Sequence, residues 1–280
     1  MGDRTGSQYA QPSQTGSRLG MEGRERETDI DLRAGIRRLF LACLLFQAAL
    51  VVADYVFNYL DVFDERAIRR IWNIAREQSI PSWFSSVLAQ LLGATVLLIA
   101  ILERKTRVAW ATLAWILAGL FFFWVGIDDY AEIHERLGGA LERLAGVDDD
   151  GAAEVVLFNP SFSWHTFIAP VYALFSLGIL ALVGHSFWRR RLLPYLVLGF
   201  GCWAVAQGID FVEGLDAAEQ LYDWGQETFA IERRYGVTHT VKVVEEMLET
   251  LGTTLLWIGF LHYLAGVLDG RRVRFRYGAD

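Results

Sequence analysis

Three short stretches hold most of the residues able to do chemistry: GIDDYAEIHERLG (126–138), GIDFVEG (208–214) and VEEMLETLG (244–252). On a helix, Asp128, Glu132 and Glu135 share one face at i, i+4 and i+7, with Asp129 and His134 to either side. Asp210 and Glu213 share a face at i, i+3, and Glu249 follows Glu245 by four and Glu246 by three. Carboxylates this close repel, so several must be protonated, be neutralised by arginine or bind a cation. Carboxylates and imidazoles projected from facing helices are a common way for a helix bundle to hold a metal. The candidate ligands are Asp128, His134, Glu135, Asp210, Glu246 and Glu249, with Asp54, Asp129, His165, Glu213 and Glu245 as further members. A mixed carboxylate and imidazole set suits Zn, Mn or Fe, and carboxylates alone suit Ca. His239 falls in a loop beside this set, while His185 and His262 lie toward the other ends of their helices and read as structural. Ser161, Ser163 and Thr166 flank His165 without any one standing out as a nucleophile, so no catalytic residue is assigned. Nucleophile-elbow, HExxH, Walker and GxGxxG patterns are absent.

The elements that must position these groups are membrane spans. Of the 280 residues, 53% are apolar and 21% charged, and the mean hydropathy is +0.27. That is too hydrophobic for a disordered chain. The net charge of −7 argues against nucleic acid as a partner. Cys43 and Cys202 both sit in apolar runs, which excludes a disulfide scaffold and a CxxC metal site. Six apolar segments approach the ~20 residues a bilayer-crossing helix needs, roughly 39–60, 84–102, 108–127, 167–183, 192–212 and 247–267. The fold class is therefore all-α, a polytopic membrane bundle of six transmembrane helices, with the lipid bilayer as its partner.

Orientation follows from the 26 Lys and Arg, most of which precede the first span, fill the 2–3 loop (Arg104, Lys105, Arg107), fill the 4–5 loop (Arg189, Arg190, Arg191) or lie in the 271–280 tail. Positive charge marks the cytoplasmic side, which makes the bundle N-in/C-in. Residues 1–30, rich in Gly, Ser, Gln, Thr and Arg, read as a disordered cytoplasmic tail ahead of a 31–270 transmembrane domain. Its outer loops, 61–82, 128–165 and 213–246, should carry short helices; in DERAIRRIWNIAREQ, Ile68, Ile71, Trp72 and Ala75 recur at helical spacing. Every candidate ligand then falls near the outer face. An Arg-rich, Lys-poor chain fits a bacterial genome rich in GC, and hence the bacterial cytoplasmic membrane.

The stretches SIPSWFSSVLAQLLGATVLL, GIDDYAEIHERLG and VEEMLETLG resemble an uncharacterised bacterial family of small polytopic membrane proteins. Its pattern is an acidic pair, four residues, His-Glu and a later Glu-Glu-x-x-Glu, matched by Asp128, Asp129, His134, Glu135, Glu245, Glu246 and Glu249. The resemblance implies a shared site and supplies no reaction. The gathering of His and Asp at one membrane face is also remotely similar to integral-membrane zinc hydrolases of the alkaline ceramidase type, whose late His-x-x-x-His and seventh span are missing here. Three functions fit these residues. A divalent metal site would serve a membrane hydrolase; a vestibule of acids would serve a cation or proton transporter; and an Arg–carboxylate network would serve a non-enzymatic subunit.

Overall fold

The structure, a computed structural model, describes residues 31–60, 62, 65–144, 168–213, 215, 218–231 and 234–269; side chains are described for these except at 135, 139 and 141–144. Both expected tails, and His165 in the second outer loop, lie outside the described residues. All regular structure among the described residues is helical. The helices are α1 (Leu32–Asp54, continued by a π-helical turn Tyr55–Tyr59), α2 (Arg66–Trp72), α3 (Ile80–Glu103), α4 (Ala109–Ala131), α5 (Ile133–Leu144), α6 (Ala169–Arg189), α7 (Leu193–Glu213), α8 (Ala218–Phe229) and α9 (Arg234–Leu268). Six of them, α1, α3, α4, α6, α7 and α9, are long and apolar enough to cross a membrane. Leu45 and Leu174, each 71% exposed, belong to a broad apolar surface that suits contact with lipid rather than water.

Local sequence explains the ends. Ser79 caps α3 by accepting the Ser82 N–H at 3.2 Å, and Pro81 occupies the first turn, where its missing N–H costs nothing. Helix α4 ends at Glu132, whose left-handed backbone (φ 53°) returns its N–H to the Asp128 carbonyl. The chain restarts as α5 one residue later, so the continuous acidic stripe expected over Asp128, Glu132 and Glu135 is interrupted. Helix α9 is the other departure. Its 35 residues rise about 52 Å against a hydrocarbon core of about 30 Å, so its amino-terminal third must project beyond the membrane core. The 213–246 loop is consequently shorter than expected, and His239 is helical rather than in a loop.

Packing runs outward from α9, which contacts α1, α3, α7 and α8, while α3 and α4 make the broadest pairing. Without a hydrophobic drive between helices in lipid, close approach depends on small residues. A side chain at Gly93 would collide with the α4 backbone at Gly119 and Phe123, and one at Gly252 would collide with Gly199 on α7. Between the two ends of the bundle lies an apolar belt in which Leu92, Val96, Ile99, Phe122, Leu256 and Phe260 are fully buried. At one end, Glu103 accepts from Arg107, from Tyr263 at 3.2 Å and lies 3.7 Å from Arg190, tying α3, α6 and α9 together. The candidate ligands gather at the other end.

Candidate functional site

The ends of α1, α4 and α7 and the starts of α3, α6 and α9 meet at this pole, and their acids sort into four neighbouring groups. The first is built by the left-handed turn at Glu132. That turn aims the His134 N–H at Asp128 Oδ1 (2.8 Å) and sets the His134 Nδ1 against Asp128 Oδ2 (3.0 Å). Tyr172 of α6 donates to the same Oδ2 at 2.5 Å and accepts from the Trp124 indole at 2.9 Å. Asp128 thus orients an imidazole, with both of its oxygens already engaged. Glu135, next in the chain, lies on α5.

The second group spans α1 and α9. Asp54 and His239 are both buried and their Oδ2 and Nε2 lie 2.8 Å apart. The other oxygen of Asp54 accepts from Asn58 at 3.1 Å and from the Ile74 backbone at 3.0 Å, which anchors the irregular segment after α2. The π-helical turn begins at the residue after Asp54.

The third group is the densest in carboxylates. Asp210 and Glu213 of α7 and Glu245 of α9 each bring an oxygen within 4.8 Å of the others, close enough for one cation to bridge them. Glu245 is 3% exposed, and its Oε2 is buried with no hydrogen-bond partner among the described residues. Its other oxygen accepts from Lys242 at 2.6 Å, and the same ammonium lies 3.5 Å from Asp210. Tyr222 of α8 donates to Glu213 at 2.9 Å. Burial, helped by that hydrogen bond and by the carboxylate charge, holds the Tyr222 hydroxyl above its ordinary range.

The fourth group joins α3, α4, α7 and α9. Asp129 accepts from Ser86 at 3.2 Å, and Glu249 accepts from Gln207 at 2.8 Å. Asp129, Glu246 and Glu249 lie within electrostatic reach of one another, and Lys242 reaches Glu246 and Glu249. The third and fourth groups are therefore linked by charge through Lys242.

Two cavities open near the first turns of α9. A polar one of about 590 Å³ is lined by residues including Arg70, Arg76, His239, Lys242, Glu213 and Glu246. An apolar one of about 470 Å³ runs between α7, α8 and α9 past Gly208, Leu221, Trp224 and Val241. Glu213 and Tyr222 line both.

Of the six primary candidates, the structure brings Asp128 to His134 and sets Glu246 beside Glu249. It also brings Asp210 together with Glu213 and Glu245, which were secondary members, within electrostatic reach of Glu249. His134 and His239 face aspartates rather than the three-carboxylate set. Arginines pair elsewhere among the described residues: Arg136 with Glu132, and Arg234 with Glu219 and Asp223. Lys242, Tyr172 and Tyr222 are the partners that spacing along one helix does not reveal. Lys242 carries a faint signal, being one of only two lysines and the sole one near the acidic motifs.

No curated protein and no solved structure matches the chain. The model of a family described as "Domain of unknown function (DUF8692)" matches residues 38–264, nearly all of the membrane-like bundle, and the chain belongs to that family.

Proposed function

We propose that this is a membrane protein whose six-helix bundle carries a divalent-cation centre at Asp210, Glu213 and Glu245, serving hydrolysis of an amphiphile. The single observation that carries the reading is the Glu245 carboxylate, almost wholly buried, with an oxygen that has no hydrogen-bond partner among the described residues, beside two further carboxylates. An unsatisfied anionic oxygen in a low-dielectric site is costly, and a cation removes that cost. An all-oxygen set favours a hard ion such as Ca or Mn over the Zn of ceramidase-type enzymes. Such an ion supplies Lewis acidity and makes a bound water more acidic. Lys242 acts as the built-in counter-ion, holding Glu245 and Asp210 until a cation replaces it. Glu246, at the edge of the polar cavity, is the carboxylate placed to accept a proton. Asp128 and Asp54 fix the orientations of His134 and His239.

The apolar belt across the middle of the bundle supports one-sided chemistry over a path for ions through the membrane. The distribution of Lys and Arg supports an N-in/C-in orientation with the acidic pole outward, and the Arg-rich, Lys-poor composition supports a bacterial cytoplasmic membrane. Titration of detergent-purified, metal-stripped protein with Mn²⁺ and Ca²⁺ by calorimetry tests the reading. Saturable binding lost in Glu245→Gln and in Asp210→Asn is expected; absence of binding, or binding unchanged in both variants, overturns it.

A further inference from the structure

The His239 imidazole is held on two sides and open on a third. Its Nε2 lies 2.8 Å from Asp54 Oδ2, and Asp54 is itself fixed through Oδ1 by Asn58 and the Ile74 N–H. The Tyr235 ring, one turn earlier on α9, stacks on the imidazole at 5.3 Å. A carboxylate only accepts, so in the neutral imidazole the proton sits on Nε2 and Nδ1 is bare. That Nδ1 makes no hydrogen bond among the described residues. Nor is it sealed in. The buried side-chain atoms without a partner among the described residues belong to Asn73 and Glu245, and His239 lines the polar cavity of about 590 Å³. His239, Lys242 and Glu246 fall at i, i+3 and i+7 on one face of α9, and all three line that cavity together with Glu213 of the three-carboxylate set. A ring fixed from behind by a carboxylate and open in front is what proton transfer to a bound molecule requires. A tie between α1 and α9 alone needs neither the open nitrogen nor the cavity.

We infer that His239 is a catalytic residue of this site, the acid that protonates the leaving oxygen of a neutral acyl ester, with Asp54 as its positioning residue. This rests on the hydrolase reading above and gives it a substrate class. Four carboxylates, Glu77, Glu132, Glu213 and Glu246, line the cavity against Arg70, Arg76 and Lys242, a balance that disfavours an anionic phosphate ester. Glu246 takes one proton from a water, whose oxygen bonds to the acyl carbon. The bond from that carbon to the alcohol oxygen breaks, its electron pair stays on the alcohol oxygen, and the proton on His239 Nδ1 passes to it. The Nε2–H stays against Asp54, whose charge offsets that of the doubly protonated ring. Water in the cavity carries the proton from Glu246 back to His239, so none is gained or lost.

The test uses the full-length protein in detergent with Mn²⁺, and ethyl octanoate and p-nitrophenyl octanoate as probes. Ethoxide leaves only with a proton, whereas p-nitrophenolate leaves without one. His239→Gln should lower kcat for the ethyl ester about a hundredfold with little change in KM, and lower it far less for the p-nitrophenyl ester. Asp54→Asn should show the same selectivity with a smaller loss. In variants that keep wild-type Mn²⁺ binding, equal loss on both esters, or loss on neither, overturns the inference. Failure of the wild type to hydrolyse either ester overturns it as well. If Mn²⁺ binding sensitive to Glu245→Gln persists in that case, the acid role falls alone; if it is absent, the cation centre falls too. A measurement on the wild type keeps the inference testable should the variants fail to fold. In ¹⁵N NMR of histidine-labelled protein, the neutral His239 ring should be protonated at Nε2 and bare at Nδ1, and the reverse tautomer overturns the inference.

Discussion

Lys242→Met gives the sharpest test of what the carboxylate centre is for. The ammonium lies 2.6 Å from a Glu245 oxygen and 3.5 Å from an Asp210 oxygen. With an effective dielectric constant of about 20, these contacts correspond to gross attractions of about 6 and about 5 kcal/mol. Most of that offsets the cost of taking the ions out of water. Removing one partner of a buried pair costs about 3–5 kcal/mol, and the lower figure applies because the Lys242 side chain is 32% exposed. Metal-stripped Lys242→Met should therefore unfold more easily by about 3 kcal/mol. Reversible unfolding in mixed micelles with rising dodecyl sulfate, followed by circular dichroism, gives the difference.

The informative step comes next. If the ammonium is a placeholder, the variant has a vacated cation position with three carboxylates around it. A divalent ion at about a hundred times its dissociation constant adds about 2.7 kcal/mol, nearly cancelling the loss. Wild type should gain less at the same concentration, because the ion must first displace Lys242. Equal gains in both proteins, or no gain in the variant, would refute the reasoning and leave Lys242 as a permanent structural counter-ion.

Three further outcomes are expected. Glu103→Gln removes the negative charge that Arg107 and Arg190 share at the opposite pole and replaces one of its two acceptor oxygens by a donor, so stability measured in the same micelles should fall by about 3 kcal/mol with cation binding intact. Asp54→Asn and His239→Gln, combined in a double-mutant cycle, should show a coupling of about 1–3 kcal/mol, because the pair is buried and its partners lie on different helices. At Glu132, replacement by Gly should leave unfolding within about 1 kcal/mol of wild type, while Val should cost about 1–3 kcal/mol, since a branched side chain resists the left-handed backbone there.

The spans were readable because lipid demands long apolar runs, and hydropathy registers those directly. Their ends were less so. Helix α9 begins at Arg234, some thirteen residues before its apolar part, because Val237, His239 and Glu245 bury against neighbouring elements that a window average cannot see. Glycine is the usual mark of a left-handed stop, and α4 stops at Glu132 without one. For the site, the acids stood out because charge in or beside a span is expensive. Which acid meets which partner was not readable. Helical spacing fixes neighbours along one helix, whereas Asp54 meets His239 185 positions away and Asp128 meets Tyr172 44 away. Lys242 falls within 213–246, the stretch read as an outer loop, and nothing in the sequence shows that it turns inward.

The acidic pole is short of positive charge. Asp54, Asp128, Asp129, Asp210, Glu213, Glu245, Glu246 and Glu249 outnumber the cationic or potentially cationic groups they face, Lys242, His134 and His239. Charges in a membrane protein's interior are costly enough that such an excess calls for cations from outside. Two kinds of cation could answer, and they behave differently. If the acids are surface groups bathed in water, monovalent salt screens them, because the Debye length falls to about 3 Å at 1 M. If they form an enclosed centre, screening does little, and a divalent ion bound at specific oxygens does much more. Metal-stripped protein should therefore gain at most a few tenths of a kcal/mol from molar sodium chloride, but about 2.7 kcal/mol from a divalent ion at a hundredfold excess over its dissociation constant. Unfolding curves in the two series give the comparison directly. Should sodium chloride stabilise the protein as strongly as the divalent ion, the pole is a solvated charged surface, and the buried oxygen of Glu245 has no ligand to explain it.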